Sequence, residues 1–202
     1  MSITIPEQKF EMEVLKKVFL SYDQLIVFEL GNQGIQGKKW SAKQEYLKKG
    51  VIEHVSVDVN GRDGSLKLDL NKELPKNLHD KFNLVTNYGT TEHVNDQYSV
   101  FHNINKVCLV GGTMIHALVL PGNWVGHCRY YYPPKFVEQL SKLFGYKIIR
   151  AEKFNPYSNP RPNRYLTMAC LQKTIHKDIS RLQFEQLSIT DSHNTEKTGN
   201  YT

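Results

Sequence analysis

The chain has 202 residues, of which 40% are apolar and 23% charged, and its formal net charge is +6 at pH 7. This length suits one globular domain and is too short for two full-sized ones. The aromatic content of 11%, with only 13 glycines and 8 prolines, excludes a disordered or collagen-like chain. The positive charge is modest and no basic stripe is interleaved with aromatic residues, so a nucleic-acid partner is not expected.

Membrane and metal contacts are not expected either. No apolar run approaches the roughly 18 to 20 residues that span a bilayer, and the first residues lack the basic-then-apolar order of a secretory signal. The cysteines, Cys108, Cys128 and Cys170, are widely separated and form no CxxC pair. We therefore predict free thiols, no disulfide framework, no metal site and a cytoplasmic location.

Short apolar runs alternate with helical patterns along the chain. Helices are predicted at 6–20, 41–49, 96–109 and 134–144, and strands at 25–30, 53–59, 66–70, 82–87, 113–120, 146–151 and 165–171. Ser41 is a candidate N-cap, Gly50 and Gly145 are stop signals, and Gly111-Gly112 is expected to form the turn after the third helix. Strands that alternate with helices indicate right-handed crossovers and a mostly parallel sheet.

The end of the chain breaks this alternation. Only a Pro/Asn-rich loop separates the last two strands, so we expect them to be antiparallel. The prediction is a three-layer α/β sandwich, with a mostly parallel seven-stranded sheet that ends in an antiparallel hairpin. Residues 1–187 would form this single domain, with the helix at 6–20 ahead of the first strand, and the polar segment 188–202 a flexible tail.

Polar residues follow several of the predicted strands. Ligands of open parallel sheets bind beyond the carboxyl ends of the strands. Gly31 after the first strand would let a ligand approach the backbone, and an acid ending the second, Asp58, can accept hydrogen bonds from ribose hydroxyls. Asp58 or Asp69 alone is better explained as a turn or N-cap residue. Their occurrence together favours a nucleoside cofactor.

The second half of the sequence carries a resemblance. The segments FNLVTNYGTTEHV (82–94), TMIHALVLPGNWVGH (113–127) and YYYPPKFVEQLSKLFGYKII (130–149) follow one another. Their order resembles that of class I S-adenosylmethionine-dependent methyltransferases of the small-molecule type, and the likeness covers roughly residues 22–172. It implies a Rossmann-like fold and methyl transfer from S-adenosylmethionine to a small-molecule acceptor.

The resemblance also implies which residues contact the cofactor. The methionine portion would lie against the loop after the first strand, the ribose against the end of the second, and the adenine against the end of the third. The residues are Glu29, Gly31, Asn32 and Gln33 in that loop, Asp58 at the ribose, Asp69 and Leu70 at the adenine, and Asn87 at the floor of the site. Gln33 stands where the family prefers its second glycine. This departure leaves open an alternative, a non-catalytic methyltransferase-like subunit that binds a cofactor or a partner.

Two histidines are candidate catalytic residues. His93 follows the fourth strand, and His127 lies in the loop 121–134, where an imidazole could act as a base at neutral pH. Trp124 and Tyr131 of that loop could bind the acceptor or simply cover the end of the sheet. His116, in the middle of a predicted strand, is interpreted as structural. A nicotinamide-dependent oxidoreductase is disfavoured because no Gly-x-Gly-x-x-Gly motif is present.

Overall fold

The main sheet has seven strands. A computed structural model describes residues 2–18 and 20–194. The strands run in the spatial order β3-β2-β1-β4-β5-β7-β6. Six of them share one direction, and β7 runs antiparallel to these six. They are β1 (Ile26–Leu30), β2 (Glu53–Asp58), β3 (Leu66–Lys67), β4 (Phe82–Tyr88), β5 (Cys108–Val119), β6 (Tyr146–Phe154) and β7 (Leu166–Lys173). The predicted mostly parallel sheet with a final antiparallel hairpin is confirmed.

Helices cover both faces of this sheet. They are α1 (Ile5–Lys17), α2 (Ala42–Lys48), α3 (Gln97–Val107), α4 (Lys135–Phe144) and the single turn α5 (Arg181–Phe184). Ser41 caps α2 through a reciprocal bond with Gln44, and Gly145 ends α4 at φ +75°, both as predicted. Within the described ranges, no helix combines the length and the apolar character that crossing a membrane requires.

The two faces of the sheet use alternate residues of each strand. Phe28 and Val85 pack with α3 and α4 in one cluster, whereas Val27 and Leu84 pack with α1 and α2 in another. This follows from the two-residue period of strand side chains. Because the inner strands are apolar at successive positions, both faces are buried, and the three-layer sandwich is confirmed.

A buried carboxylate fastens α1 to the sheet. Glu11 is 2% exposed and accepts hydrogen bonds from three tyrosine hydroxyls. The Tyr22 hydroxyl lies 2.9 Å from Oε1, and the Tyr88 hydroxyl at the end of β4 lies 2.7 Å from Oε2. The third donor is Tyr46 of α2. The residue thus joins two helices and a central strand.

Three local predictions differ from the structure. Gly111 and Gly112 lie inside β5, where the register against β4 shifts, and they do not form a turn. Gly111 has φ +88°, as a β-bulge allows for glycine. The predicted strand at 66–70 is only Leu66–Lys67, because Asp69 turns the backbone by accepting from the amide of Asn71. Within the predicted tail, Thr190–Asp191 pairs with Tyr130–Tyr131, while residues 195–202 lie outside the described residues.

Replacing Glu11 tests how strongly α1 is fastened. Glu11→Ala leaves the Tyr46 and Tyr88 hydroxyls, each 3% exposed as residues, without their acceptor. We expect the free energy of unfolding to fall by at least about 2 kcal/mol, since each buried unsatisfied group costs about 1 to 3 kcal/mol. The matched control is Glu13→Ala, which removes an exposed ion pair with Arg150 and should cost much less, because exposed ion pairs contribute little to stability. Equal losses in urea unfolding would contradict this interpretation.

Candidate functional site

The loop after β1 is held by a buried acid. Glu29 is 1% exposed, and its Oε1 accepts the backbone amide of Gln33 at 2.9 Å. Its Oε2 lies 2.9 Å from Nε2 of His54. Burial raises the pKa of Glu29, and the contact with His54 opposes that shift. One carboxylate oxygen therefore holds the loop around Gly31, and the other contacts the neighbouring strand β2.

Four of the predicted cofactor residues, from three strand ends, line one cleft of about 70 Å³: Gly31, Asp58, Asp69 and Leu70. The predicted residues Glu29, Asn32 and Gln33 are not among its lining residues. Asp58 accepts the amides of Asn32 at 3.0 Å and Asn60 at 2.9 Å. The remaining lone pairs of this half-buried carboxylate can accept further donors. The lining residues are Gly31, Val57, Asp58, Val59, Leu68, Asp69, Leu70, Asn71, Thr90, His93 and Val94.

Gln33 closes the loop towards the end of β4. Its side chain donates from Nε2 to Thr90 Oγ1 at 3.2 Å, and this hydroxyl donates to the carbonyl of Leu30 at 2.8 Å. A Cβ at Gly31 would lie only 2.7 Å from the same Thr90 oxygen, so the position admits no side chain. Gln33 is 4% exposed, and its Oε1 has no hydrogen-bond partner among the described residues. A buried acceptor is thus left available at this point of the loop.

Asn87 does not border this cleft. It is fully buried, and its Oδ1 accepts the amides of Thr90 at 3.1 Å and Thr91 at 3.2 Å. Its Nδ2 donates to Thr91 Oγ1 and lies 3.4 Å from Nδ1 of His116. Asn87 therefore shapes the turn after β4 rather than a surface that a ligand could touch. Burial lowers the pKa of His116 to about 4, as suits a neutral structural histidine.

A larger cavity of about 280 Å³ lies on the other side of that turn. Its walls are mainly apolar and come from β4, β5, β7 and the hairpin loop, while the start of α1 adds Thr4 and Glu7. Trp124 and His127, both predicted for the acceptor, line it. The lining residues are Ser2, Thr4, Glu7, Gln36, Tyr88, Gly89, Glu92, Ala117, Val119, Trp124, His127, Pro156, Tyr157 and Leu166.

Tyr131 lies outside this cavity and supports its wall. It is 6% exposed, packs with Val119 and Cys128, and donates its hydroxyl to the Trp124 carbonyl at 3.3 Å. The Trp124 ring stacks on Tyr157 with the ring centres 6.0 Å apart. Tyr157 comes from the irregular loop of the final hairpin, and no sequence pattern pointed to it.

The structure also brings together three residues at the boundary between the cavity and the smaller cleft. Glu92 and His93 lie on the turn Thr91–His93, and His127 lies on the loop after β5. Glu92 is 1% exposed, and neither carboxylate oxygen has a hydrogen-bond partner among the residues described. Burial raises its pKa to about 8. The adjacent Glu92-His93 pair is visible in the sequence, but its burial beside His127 is a property of the fold.

Solved structures with similar backbones decide the fold class. A putative S-adenosylmethionine-dependent methyltransferase from Listeria monocytogenes is 13% identical, with a TM-score of 0.60 over 82% of this chain and 97% of that one. The chain has the class I methyltransferase fold. Similarity extends to the 1,6-didemethyltoxoflavin-N1-methyltransferase of Burkholderia thailandensis, with bound 1,6-didemethyltoxoflavin and S-adenosylhomocysteine (10% identity, TM-score 0.58, 81% of this chain, 76% of that chain).

The same fold also carries other chemistry. The [4+2]-cyclase SpnF is 9% identical, with a TM-score of 0.58 over 84% of this chain and 81% of that one. Neither a protein-family model nor a curated protein sequence matches this chain. The similarity therefore establishes the methyltransferase fold, while the activity has to be argued from the site.

The low pKa of His116 predicts a loss of stability in acid. An unfolded histidine takes up a proton as the pH falls below about 6.5, whereas His116 in the fold resists protonation down to about 4. Its contribution to stability is thus complete above pH 6.5 and is lost as the pH falls to 4, by up to about 3 kcal/mol. His116→Gln should lack this dependence. Parallel pH profiles of unfolding free energy for the two proteins would refute the assignment.

Proposed function

We propose that this chain is an S-adenosylmethionine-dependent methyltransferase that acts on a small-molecule acceptor. One observation carries the proposal. A cleft bordered by the strand-end acids Asp58 and Asp69 adjoins a mainly apolar cavity, and the segment 88–94 contributes lining residues to both. Two neighbouring sites of this kind suit a cofactor and an acceptor that must meet.

The residues of the smaller cleft fit the proposed cofactor. Asp58 offers carboxylate oxygens to ribose hydroxyls, while Val57, Leu68 and Leu70 offer apolar contact to a purine. Because the cleft measures only about 70 Å³, bordering side chains must rearrange around a ligand of this size. When bound, the sulfonium cofactor supplies an activated methyl group.

The larger cavity indicates the kind of acceptor. Tyr88, Trp124 and Tyr157 offer flat apolar contact, and the volume of about 280 Å³ suits a small molecule. Glu7 and Glu92 add carboxyl groups to this otherwise mainly apolar lining. We therefore propose a small, largely apolar acceptor with a hydrogen-bonding edge.

The chain's own contribution would be positioning and proton transfer. Methyl transfer from a sulfonium has an activated leaving group, so the protein chiefly orients the acceptor and, where needed, holds its proton. His127 is half-buried at the wall of the cavity, with its ring centre 5.1 Å from that of His93. We propose that His127 contacts the acceptor and that His93, which lines the cofactor cleft, orients His127.

Two alternatives are less well supported. A non-catalytic subunit has no need for a cavity of 280 Å³ next to the cofactor cleft. A different reaction on the same fold, as in the cyclase, is an outcome that a turnover assay separates from methyl transfer.

The free thiols of Cys108, Cys128 and Cys170 are buried, and burial raises the pKa of each to about 12. Unpaired thiols support the proposed location in a reducing cytoplasm.

Cofactor binding is tested at Asp58. Calorimetry should detect binding of S-adenosylmethionine or S-adenosylhomocysteine to the wild-type chain. Asp58→Ala should weaken it by about 10- to 150-fold, since hydrogen bonds to a charged group contribute about 1.5 to 3 kcal/mol. Asp58→Asn should fall between the two. Asp63→Asn is the control, because Asp63 also contacts Asn32 but does not line the cleft. An absence of binding by wild type, or an unchanged affinity in both Asp58 variants, would refute the proposed site.

Turnover is tested at His127 with labelled S-adenosylmethionine and an extract of small molecules. His127→Ala should leave cofactor affinity unchanged and reduce methyl transfer by about 10²- to 10⁴-fold if the imidazole holds the acceptor's proton. Val125→Ala on the same loop, at a residue 82% exposed, should behave like wild type. If His127→Ala keeps full turnover, the acceptor does not bind where we propose.

A further inference from the structure

The cluster of Glu92, His93 and His127 has the composition of a metal site. Each residue offers one ligand atom, a carboxylate oxygen or a ring nitrogen, and these atoms all lie within 4.8 Å of one another. The turn Thr91–His93 carries the first two, and the loop between β5 and α4 carries the third. Two separate parts of the chain therefore converge on one point.

The state of Glu92 is a second, independent observation. This carboxyl group is 1% exposed, and within the described part of the chain neither of its oxygens receives a hydrogen bond. Buried polar atoms are nearly always satisfied, and the exceptions need an explanation. A bound cation would compensate the charge of this carboxylate and take one of its oxygens as a ligand.

The donor set indicates which cation. Imidazole nitrogens favour zinc and other first-row transition metals, whereas magnesium and calcium prefer oxygen ligands alone. Two imidazoles and one carboxylate are the three protein ligands of a class of catalytic zinc sites, which keep at least one position open. We propose that Glu92, His93 and His127 bind one divalent first-row transition-metal ion, such as Zn²⁺.

The location suggests what the ion would do. Glu92 and His127 line the larger cavity, while His93 lines the smaller cleft. If the proposed function holds, an open coordination position at this wall would take an oxygen or nitrogen of the acceptor. This part of the inference rests on the proposed function and narrows the acceptor to molecules with such a donor. With the ion bound, His127 would be a metal ligand and would position the acceptor through the ion, which would replace the direct contact proposed for the metal-free chain.

Metal binding is tested by calorimetry on the full-length, untagged chain after dialysis against EDTA. Zn²⁺ alone is the titrant, and no cofactor is added. Wild type should bind one ion per chain, and Co²⁺ in its place should develop visible absorption. Glu92→Gln and His127→Ala should each weaken binding by at least about 100-fold, since losing even an outer-shell partner costs about 10- to 100-fold.

A matched control separates this site from surface histidines. His176 has a side chain that is 65% exposed and lies 3.5 Å from Asp80, so it could hold zinc weakly. His176→Ala should bind zinc like wild type. No stoichiometric binding by wild type, or unchanged affinity in His127→Ala, would overturn the proposal, as would loss of binding in His176→Ala.

Folding of each variant and its cofactor binding are measured separately. Circular dichroism identifies any variant that fails to fold, and His127, half-buried on a loop, provides a variant that does not disturb the core if Glu92→Gln does. Cofactor affinity is measured on the same samples. Zinc binding without cofactor binding would refute the proposed function and leave the metal site standing. Cofactor binding without zinc binding would refute the metal site and leave the proposed function standing.

Discussion

The hydrogen bonds of three tyrosine hydroxyls to the Glu11 carboxylate are the interaction on which the site depends most. They attach α1 to α2 and to the end of β4. The first turn of the same helix provides Thr4 and Glu7 to the larger cavity, where Glu7 accepts from the amide and the hydroxyl of Thr4. A carboxylate is costly to bury unless donors surround it. Since Glu11 has such donors, it can fix the position of one cavity wall.

The buried glutamates differ in how fully they are bonded, and this difference separates structure from function. Glu11 has three hydroxyl donors, and Glu29 has the Gln33 amide and His54. Glu92, equally buried, receives no hydrogen bond from the described residues. Fully bonded acids stabilise a fold, whereas an unsatisfied acid in a cavity wall costs stability and points to a ligand. We therefore assign Glu11 and Glu29 to the stability of the fold and propose a ligand-binding role for Glu92 alone.

Much of the fold was predictable because it depends on local patterns. Successive apolar residues such as Val27 and Phe28 predict a strand buried on both faces, and Ser41 and Gly145 mark helix ends by their own backbone chemistry. The Gly111-Gly112 pair does not form the predicted turn, because glycine allows a bulge as readily as a turn. Only the pairing with β4 decides between them.

The site was predictable only where the order of the strands determines it. Asp58 and Asp69 follow strands, so topology alone brings them to one edge of the sheet. Asn87 also lies near the end of a strand, yet its side-chain oxygen accepts two backbone amides of the turn that follows, which no spacing reveals. Tyr157 reaches the cavity from an irregular loop that no pattern identifies. Glu92 lacks hydrogen-bond donors among the described residues because of how distant segments pack around it, which the sequence does not show.

Arg129 connects the loop of His127 to the end of the described chain. Its guanidinium donates to both carboxylate oxygens of Asp191 and to Oδ1 of Asn95, in the segment that follows the Glu92-His93 turn. Thr190 and Asp191 also pair with Tyr130–Tyr131 through the backbone. These contacts anchor the carboxyl-terminal end of the His127 loop to residues 190–191, so a displacement of those two residues would be transmitted to the loop through Arg129.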